Sequence, residues 1–237
     1  MANVLIVYAH PEPASFNAAL KDRAVEALTA AGHSVVVSDL YGEEFNPVAG
    51  RNDFTTVADA SRFHYQKEQA HAAREGGYAS DIAREQARVR DADVLILQYP
   101  MWWGGSPAIV KGWCDRVLSY GFAYVDGTRF DTGLFRGRRA MLSITTGGTE
   151  ERFSDQGVYG EMHRVIYQVQ RLTLQYLGYT VEEPFVAYAA PRVDDAQRAK
   201  YLEAFAARVT ALAAMPVDRN ELPNPTAATD GAWAAKR

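Results

Sequence analysis

One cysteine, Cys114, in 237 residues excludes an intrachain disulfide and fits a reducing compartment. The histidines are His10, His33, His64, His71 and His163, and they show neither H-x-x-x-H nor His/Cys spacing. Metal ligands are therefore expected to be none. No stretch approaches the roughly 18 apolar residues of a membrane span, and MANVLIVYAHPEP has no basic segment ahead of its short apolar run. Membrane insertion is not expected. Basic runs are also scarce: none is longer than Arg136-Gly137-Arg138-Arg139, and the formal net charge is -4. Nucleic acid is accordingly not an expected partner. These absences describe a cytoplasmic protein.

What is present is apolar and alternating. With 48% hydrophobic and 23% charged residues, the chain is long enough for one large α/β domain. NVLIVYA (3–9) is rich in Val, Leu and Ile, as a strand covered on both faces requires. Prolines end it. The next segment repeats Phe16, Leu20, Ala24 and Leu28 at helical spacing, with Ser15 as N-cap and Gly32 as stop. SVVVSDLY (34–41) is the second strand, so the opening unit is a right-handed β–α–β crossover. Residues 42–77 read as a polar, irregular excursion, and 81–91 as a charged helix before the third strand, VLILQYP. Helix follows in SPAIVKGWCDRVLSY, where Pro107 suits a first turn and Cys114 reads as a packing position. RAMLSITT (139–146), a helix over 160–177, TVEEPFVAYA (180–189) and an amphipathic helix over 194–214 complete the series. The expectation is a doubly wound, five-stranded parallel sheet in the order 2-1-3-4-5 with helices on both faces. The domain spans 1–215, and 216–237 is a proline-containing tail whose Trp233 is either packed or part of a disordered end.

In such a sheet, ligands bind outside the carboxyl ends of the strands, where strand order reverses. Three loops meet there. The first, 10–17, runs into a helix N-terminus, whose unpaired N–H groups favour a phosphate; Ser15 is either a cap alone or also a phosphate contact. No G-x-G-x-x-G follows the first strand, which argues against a nicotinamide-type Rossmann site. The second loop carries Trp102 and Trp103 followed by Gly104 and Gly105. The third is Thr145-Thr146-Gly147-Gly148. An aromatic wall beside glycines that allow close backbone approach suits a flat, hydrogen-bonding ring, and points to a flavin.

At these residues the chain resembles the NAD(P)H:quinone oxidoreductase family, the DT-diaphorase type of flavodoxin-like, FAD-dependent enzymes. The similarity runs from Val4 to about Leu202 and includes AHPEPASFNAAL, VVVSDLYGEEFNPVAGRNDF, GFAYVDG, FRGRRAMLSITTGG and GYTVEEP. It implies FAD contacts at His10, Ser15, Phe16, Asn17 and Ala18, at Pro100, Met101, Trp102 and Trp103, and at Thr145, Thr146, Gly147 and Gly148. Arg198 falls where the family places an arginine near the adenosine half of FAD, a residue that an FMN enzyme would not need. A homodimer is implied, with sites at the interface and Tyr124, Asp126 and Tyr176 reaching toward the neighbour's substrate pocket, beside Trp102 and Gly104. The longer members carry an additional C-terminal domain, and shorter relatives a metal site of histidines and a cysteine; neither is expected here.

The chain departs from the family pattern in places. The usual tyrosine and histidine proton pair reads Phe153 and Tyr159. Gly104 and Asp126 replace bulkier aromatics, so a wider and more polar pocket is expected. Arg152 brings a cation to the pocket rim, either solvated or bound to a cofactor phosphate or an acidic substrate. The expected activity is two-electron, ping-pong transfer of a hydride from NAD(P)H through flavin N5 to a quinone, with Tyr159 or Tyr124 hydrogen-bonding the acceptor. Alternatives are an azo- or nitro-compound reductase and a flavin-bearing regulatory subunit of a membrane transporter.

Overall fold

A computed structural model describes residues 1–218. The tail beyond, including Trp233, lies outside the described residues. In chain order the elements are β1 (Asn3–Tyr8), α1 (Phe16–Ala30), β2 (Ser34–Asp39), α2 (Tyr65–Glu75), α3 (Ser80–Asp91), β3 (Val94–Pro100), α4 (Ala108–Val117), β4 (Arg139–Thr145), α5 (Met162–Val165), α6 (Tyr167–Val169), β5 (Thr180–Val181), β6 (Phe185–Ala187) and α7 (Asp195–Ala214). The sheet is parallel in the order β2-β1-β3-β4-β5, as the β–α alternation predicts.

Every residue of β3 is buried, which explains its unbroken apolar character. Side chains alternate across it: Leu95, Leu97 and Tyr99 enter a core beneath α3 and α4 with Trp113 and Val117. Val94 and Ile96 enter a second core with Leu20, Leu28, Phe205 and Val209 from α1 and α7. The helix starts follow their caps. Ser15 Oγ accepts from the Ala18 N–H at 3.1 Å, and the Asp194 carboxylate accepts from the Gln197 N–H at 2.8 Å.

Three expectations need correction. The strand expected over 180–189 is split into β5 and β6, which pair in succession with β4; Pro184 sits in the break and has no N–H to give the ladder. The helix expected over 160–177 is broken. After α5 and α6 it widens over Gln170–Gln175, where the Tyr176 N–H reaches the carbonyl of Arg171; Ile166, at φ -94 and ψ 4, marks the earlier break. The irregular excursion contains α2, whose sequence is too polar to show apolar periodicity because the face it buries consists of Glu68, Gln69 and Ala72. Past α7, the Asp218 N–H donates to the Gly137 carbonyl at 2.9 Å, so the first tail residues lie along the start of β4.

The excursion is held by buried charge. Arg116 of α4, 2% exposed, donates to Asp53 at 2.9 Å, to Asp81 at 2.9 Å and to the Asn46 carbonyl at 2.6 Å. Asp53 also accepts from the Tyr65 hydroxyl at 2.5 Å. Removing one partner from such a set strands the other charge in the interior. Asp53→Ala is expected to lower unfolding free energy by about 3–5 kcal/mol in urea titrations; a loss under about 1 kcal/mol would show that Asp81 alone compensates Arg116.

Candidate active site

The carboxyl ends of β1, β3 and β4 open into a cleft of about 690 Å³. Its near wall is the loop after β1 and the first turn of α1, with His10, Ser15, Phe16 and Asn17. The loop is internally braced, since His10 Nδ1 accepts the Glu12 N–H at 3.0 Å. Pro100, Met101 and Trp102 follow β3, and the Met101 N–H donates to the Thr145 carbonyl at 2.8 Å, which couples the second loop to the third. Thr145, Thr146 and Gly147 continue from β4.

The far wall comes from a loop that sequence reasoning did not place. Ala190 and Pro191 line the cleft, with Ala14 and Ala19 on the near side. The Ala190 N–H donates to the Thr146 carbonyl at 3.0 Å, and Arg192 donates to the Gly147 carbonyl, so the two loops are stitched together. The signal was available: Ala190-Pro191 follows the last strand, where the strand-end rule applies again. Arg198 reaches the same wall, held by the Ala190 carbonyl at 3.3 Å and by Asp195 at 2.8 Å.

Of the residues expected to hold the cofactor, all but Ala18, Trp103 and Gly148 line this cleft. Ala18 is buried beneath it, its N–H engaged by Ser15. Trp102 and Gly105 exchange backbone hydrogen bonds at 3.0 Å, closing a tight turn around Trp103 and Gly104. Both central residues are left-handed, at φ 51 for Trp103 and φ 71 for Gly104. The turn holds the Trp103 indole fully in solvent. Gly148 packs on aromatic side chains: a Cβ there would lie 2.7 Å from Phe153 Cε2.

The residues expected around the substrate are not gathered in this cleft, apart from Trp102. Phe153 is buried against Tyr159 and Tyr188, with ring centroids 5.0 and 6.0 Å away, while Tyr159 is half exposed. Gly104, Asp126 and Arg152 are exposed. Tyr124 and Tyr176 line a separate groove of about 350 Å³ with Val110, Cys114 and Leu172. Burial raises the Tyr124 hydroxyl above its ordinary range and pushes the Cys114 thiol up to about 12, so both stay protonated at neutral pH. Cys114 is thus a packing residue, not a nucleophile. Among the described residues no cluster of three or more His, Cys, Asp or Glu side chains suits a metal, and no helix is long and apolar enough to cross a membrane.

The cleft fits a flavin on one decisive point. Asn17, 1% exposed, donates through Nδ2 to Thr145 Oγ1 at 2.7 Å, yet its Oδ1 has no partner. Asn17 lines the cleft, and a buried acceptor without a partner calls for a donor; a flavin carries donors of that kind in its ring N–H and ribityl hydroxyls. Fold and site together define a flavodoxin-like protein, and a family model described as flavodoxin-like fold matches residues 2–209. NAD(P)H dehydrogenase (quinone) 1 of Rattus norvegicus is 43% identical over 206 residues, covering 86% of this chain and 75% of its own. Human ribosyldihydronicotinamide dehydrogenase (quinone) is 42% identical over 207 residues, covering 87% and 90%. The crystal structure of a candidate quinone reductase from Klebsiella pneumoniae superposes with a TM-score of 0.86 at 35% identity, covering 94% of this chain and 90% of that one. The chain belongs to the NAD(P)H:quinone oxidoreductase family and is an oxidoreductase.

The exposed turn separates fold from function experimentally. Trp103→Gly removes an indole that packs on nothing and relieves its left-handed backbone, so thermal stability should hold or rise by up to about 1 kcal/mol. A fall in kcat/KM for quinone with stability intact would assign the indole to ligand binding; unchanged kinetics would remove Trp103 from the site.

Proposed function

We propose that this protein is an FAD-dependent NAD(P)H:quinone oxidoreductase with ping-pong kinetics. The observation that carries FAD over FMN is that Arg198 lines the same cleft as Asn17 and Thr145, in the position where the family resemblance implies an arginine beside the adenosine half of FAD. When bound, FAD would supply two-electron chemistry, taking a hydride at N5 from NAD(P)H and reducing the acceptor without a free one-electron product. The protein's part is placement. Asn17 and Thr145 receive the polar edge or ribityl chain, the N-terminus of α1 with Ser15 faces the phosphates, and Trp102 closes one side. Sharing the strand-end cleft, nicotinamide and quinone would occupy the same space in turn.

A homodimer is part of this reading. Tyr124 and Tyr176 stand on a groove apart from the cleft of their own chain, next to exposed Leu172. That placement supports their serving the site of a neighbouring copy. Exposed Gly104 and Asp126 support an acceptor pocket that is roomy and polar, which also keeps an azo- or nitro-compound within reach as acceptor.

Phe153 has no hydroxyl, so hydrogen bonding to the acceptor falls to Tyr159 or Tyr124. Each phenolic hydroxyl can donate a hydrogen bond. Raising the Tyr124 pKa favours its protonated form, so its donor role persists past its usual value of ~10. General acid help is worth ~10² to 10⁴ in rate. Tyr159→Phe should therefore slow the oxidative half-reaction, followed by stopped flow, by at least about tenfold; a change within a factor of about two would leave protonation to solvent.

The cofactor assignment is tested by heating the purified protein and identifying the released chromophore, with binding measured in parallel for Arg198→Ala. FAD release, with FAD affinity reduced about tenfold and FMN affinity unchanged in the variant, is the expected outcome. FMN as the released group would favour the azo-compound reading, and absence of any flavin after reconstitution would end the catalytic account.

A further inference from the structure

Gln98 interrupts the apolar run of β3 and is 0% exposed. Strand alternation places it on the side of the sheet that faces α1, with Val94 and Ile96, and the register sets Ser143 of β4 level with it. An amide at such a position is unfavourable unless it is bonded. Gln98 Nε2 donates to the Asn17 backbone carbonyl at 2.6 Å, bridging 81 positions of sequence. Its Oε1 has no partner, and neither has the Ser143 hydroxyl. The Asn17 carbonyl lies in the first turn of α1, where the helix itself supplies a donor. Satisfying that carbonyl therefore does not explain why a glutamine is buried here.

The consequence of the bond is positional. Gln98 ties β3 to the first turn of α1, and the Asn17 side chain in turn ties α1 to Thr145 at the end of β4. The Asn17 Oδ1, which lacks any partner, is the atom this arrangement fixes beside the cleft. We infer that Gln98 is a positioning residue for the cofactor: by holding Asn17 it fixes the first turn of α1 where that turn lines the cleft that takes the flavin. The inference rests on the flavin reading given above. It assigns a task to a residue that does not itself line the cleft.

The test compares wild type with Gln98→Leu and Gln98→Glu, measuring FAD dissociation by fluorescence, the visible spectrum of bound FAD, and the melting temperature of the apoprotein. Leucine removes the tie and the unpaired oxygen together, so the apoprotein should melt at the same temperature or higher. FAD binding should weaken about tenfold, as for one lost hydrogen bond, and the bound spectrum should change. Glutamate regains a donor only when protonated, so its FAD affinity should recover as pH falls, a dependence that wild type lacks. Should the leucine variant fail to fold, this pH dependence alone decides. Variants that bind FAD within about twofold of wild type, with its spectrum and no new pH dependence, would overturn the inference and leave the flavin reading intact. Wild-type protein that binds no flavin would overturn that reading and this inference with it.

Discussion

Closure of β3 on both faces is the constraint on which the rest of the structure depends. A strand with helices above and below has no water along its length, so its side chains must be apolar and its polar chemistry is driven to the end. β3 obeys from Val94 to Leu97, departs at Gln98, and then opens through Pro100 into the cleft. The loops after β1 and β4 end at the same level because their registers with β3 are unbroken: Tyr8 pairs with Gln98, and Thr145 with Pro100. The cleft is thus what remains where a fully covered sheet stops.

The two helical layers divide the labour. On the α1 and α7 side the contacts are aliphatic and aromatic, and the cleft walls grow directly from the helix ends, Ser15 to Asn17 at one and Arg198 at the other. On the α3 and α4 side the packing holds buried charge. Glu85, 1% exposed, accepts from Ser38 at 2.6 Å, Trp113 at 2.8 Å and Arg88 at 2.6 Å, while Arg116 gathers Asp53 and Asp81. Such networks are poor sources of net stability but strict about geometry. They fix the long excursion against α4.

Much of this was legible in residue order. The β–α alternation, the Ser15 cap and the Val, Leu and Ile runs led to the sheet order without knowledge of any contact, because those signals are local. Three strand-end loops were found by the same logic. What escaped depends on partners distant in sequence. α2 buries carboxamide and carboxylate groups against a loop, with Glu68 accepting the Ala58 N–H at 2.8 Å, so its apolar pattern is weak. The break at Ile166 and the widened turn after it carry no proline or glycine to announce them. Ala190 and Pro191 have no chemistry of their own to flag, and Arg192 gains meaning only when the Gly147 carbonyl is placed beside it. Gln98 stood in plain view within an apolar strand, yet a buried polar residue declares a role only once its bond partner is known.

The Phe153 and Tyr159 pair shows how a side-chain exchange can be read through packing. Phe153 sits 9% exposed between Tyr159 and Tyr188, with its ring edge directly over the Gly148 backbone. A buried tyrosine hydroxyl at this position would need a hydrogen-bond partner, and phenylalanine makes no such demand. The hydroxyl of the pair belongs instead to Tyr159, which is 51% exposed and so remains in contact with water. Under the proposed function this moves proton supply from an enclosed relay to the solvent boundary. A pocket made roomy by Gly104 and polar by Asp126 is consistent with that shift, since water at the boundary can return a proton to the Tyr159 hydroxyl after it has donated to the acceptor.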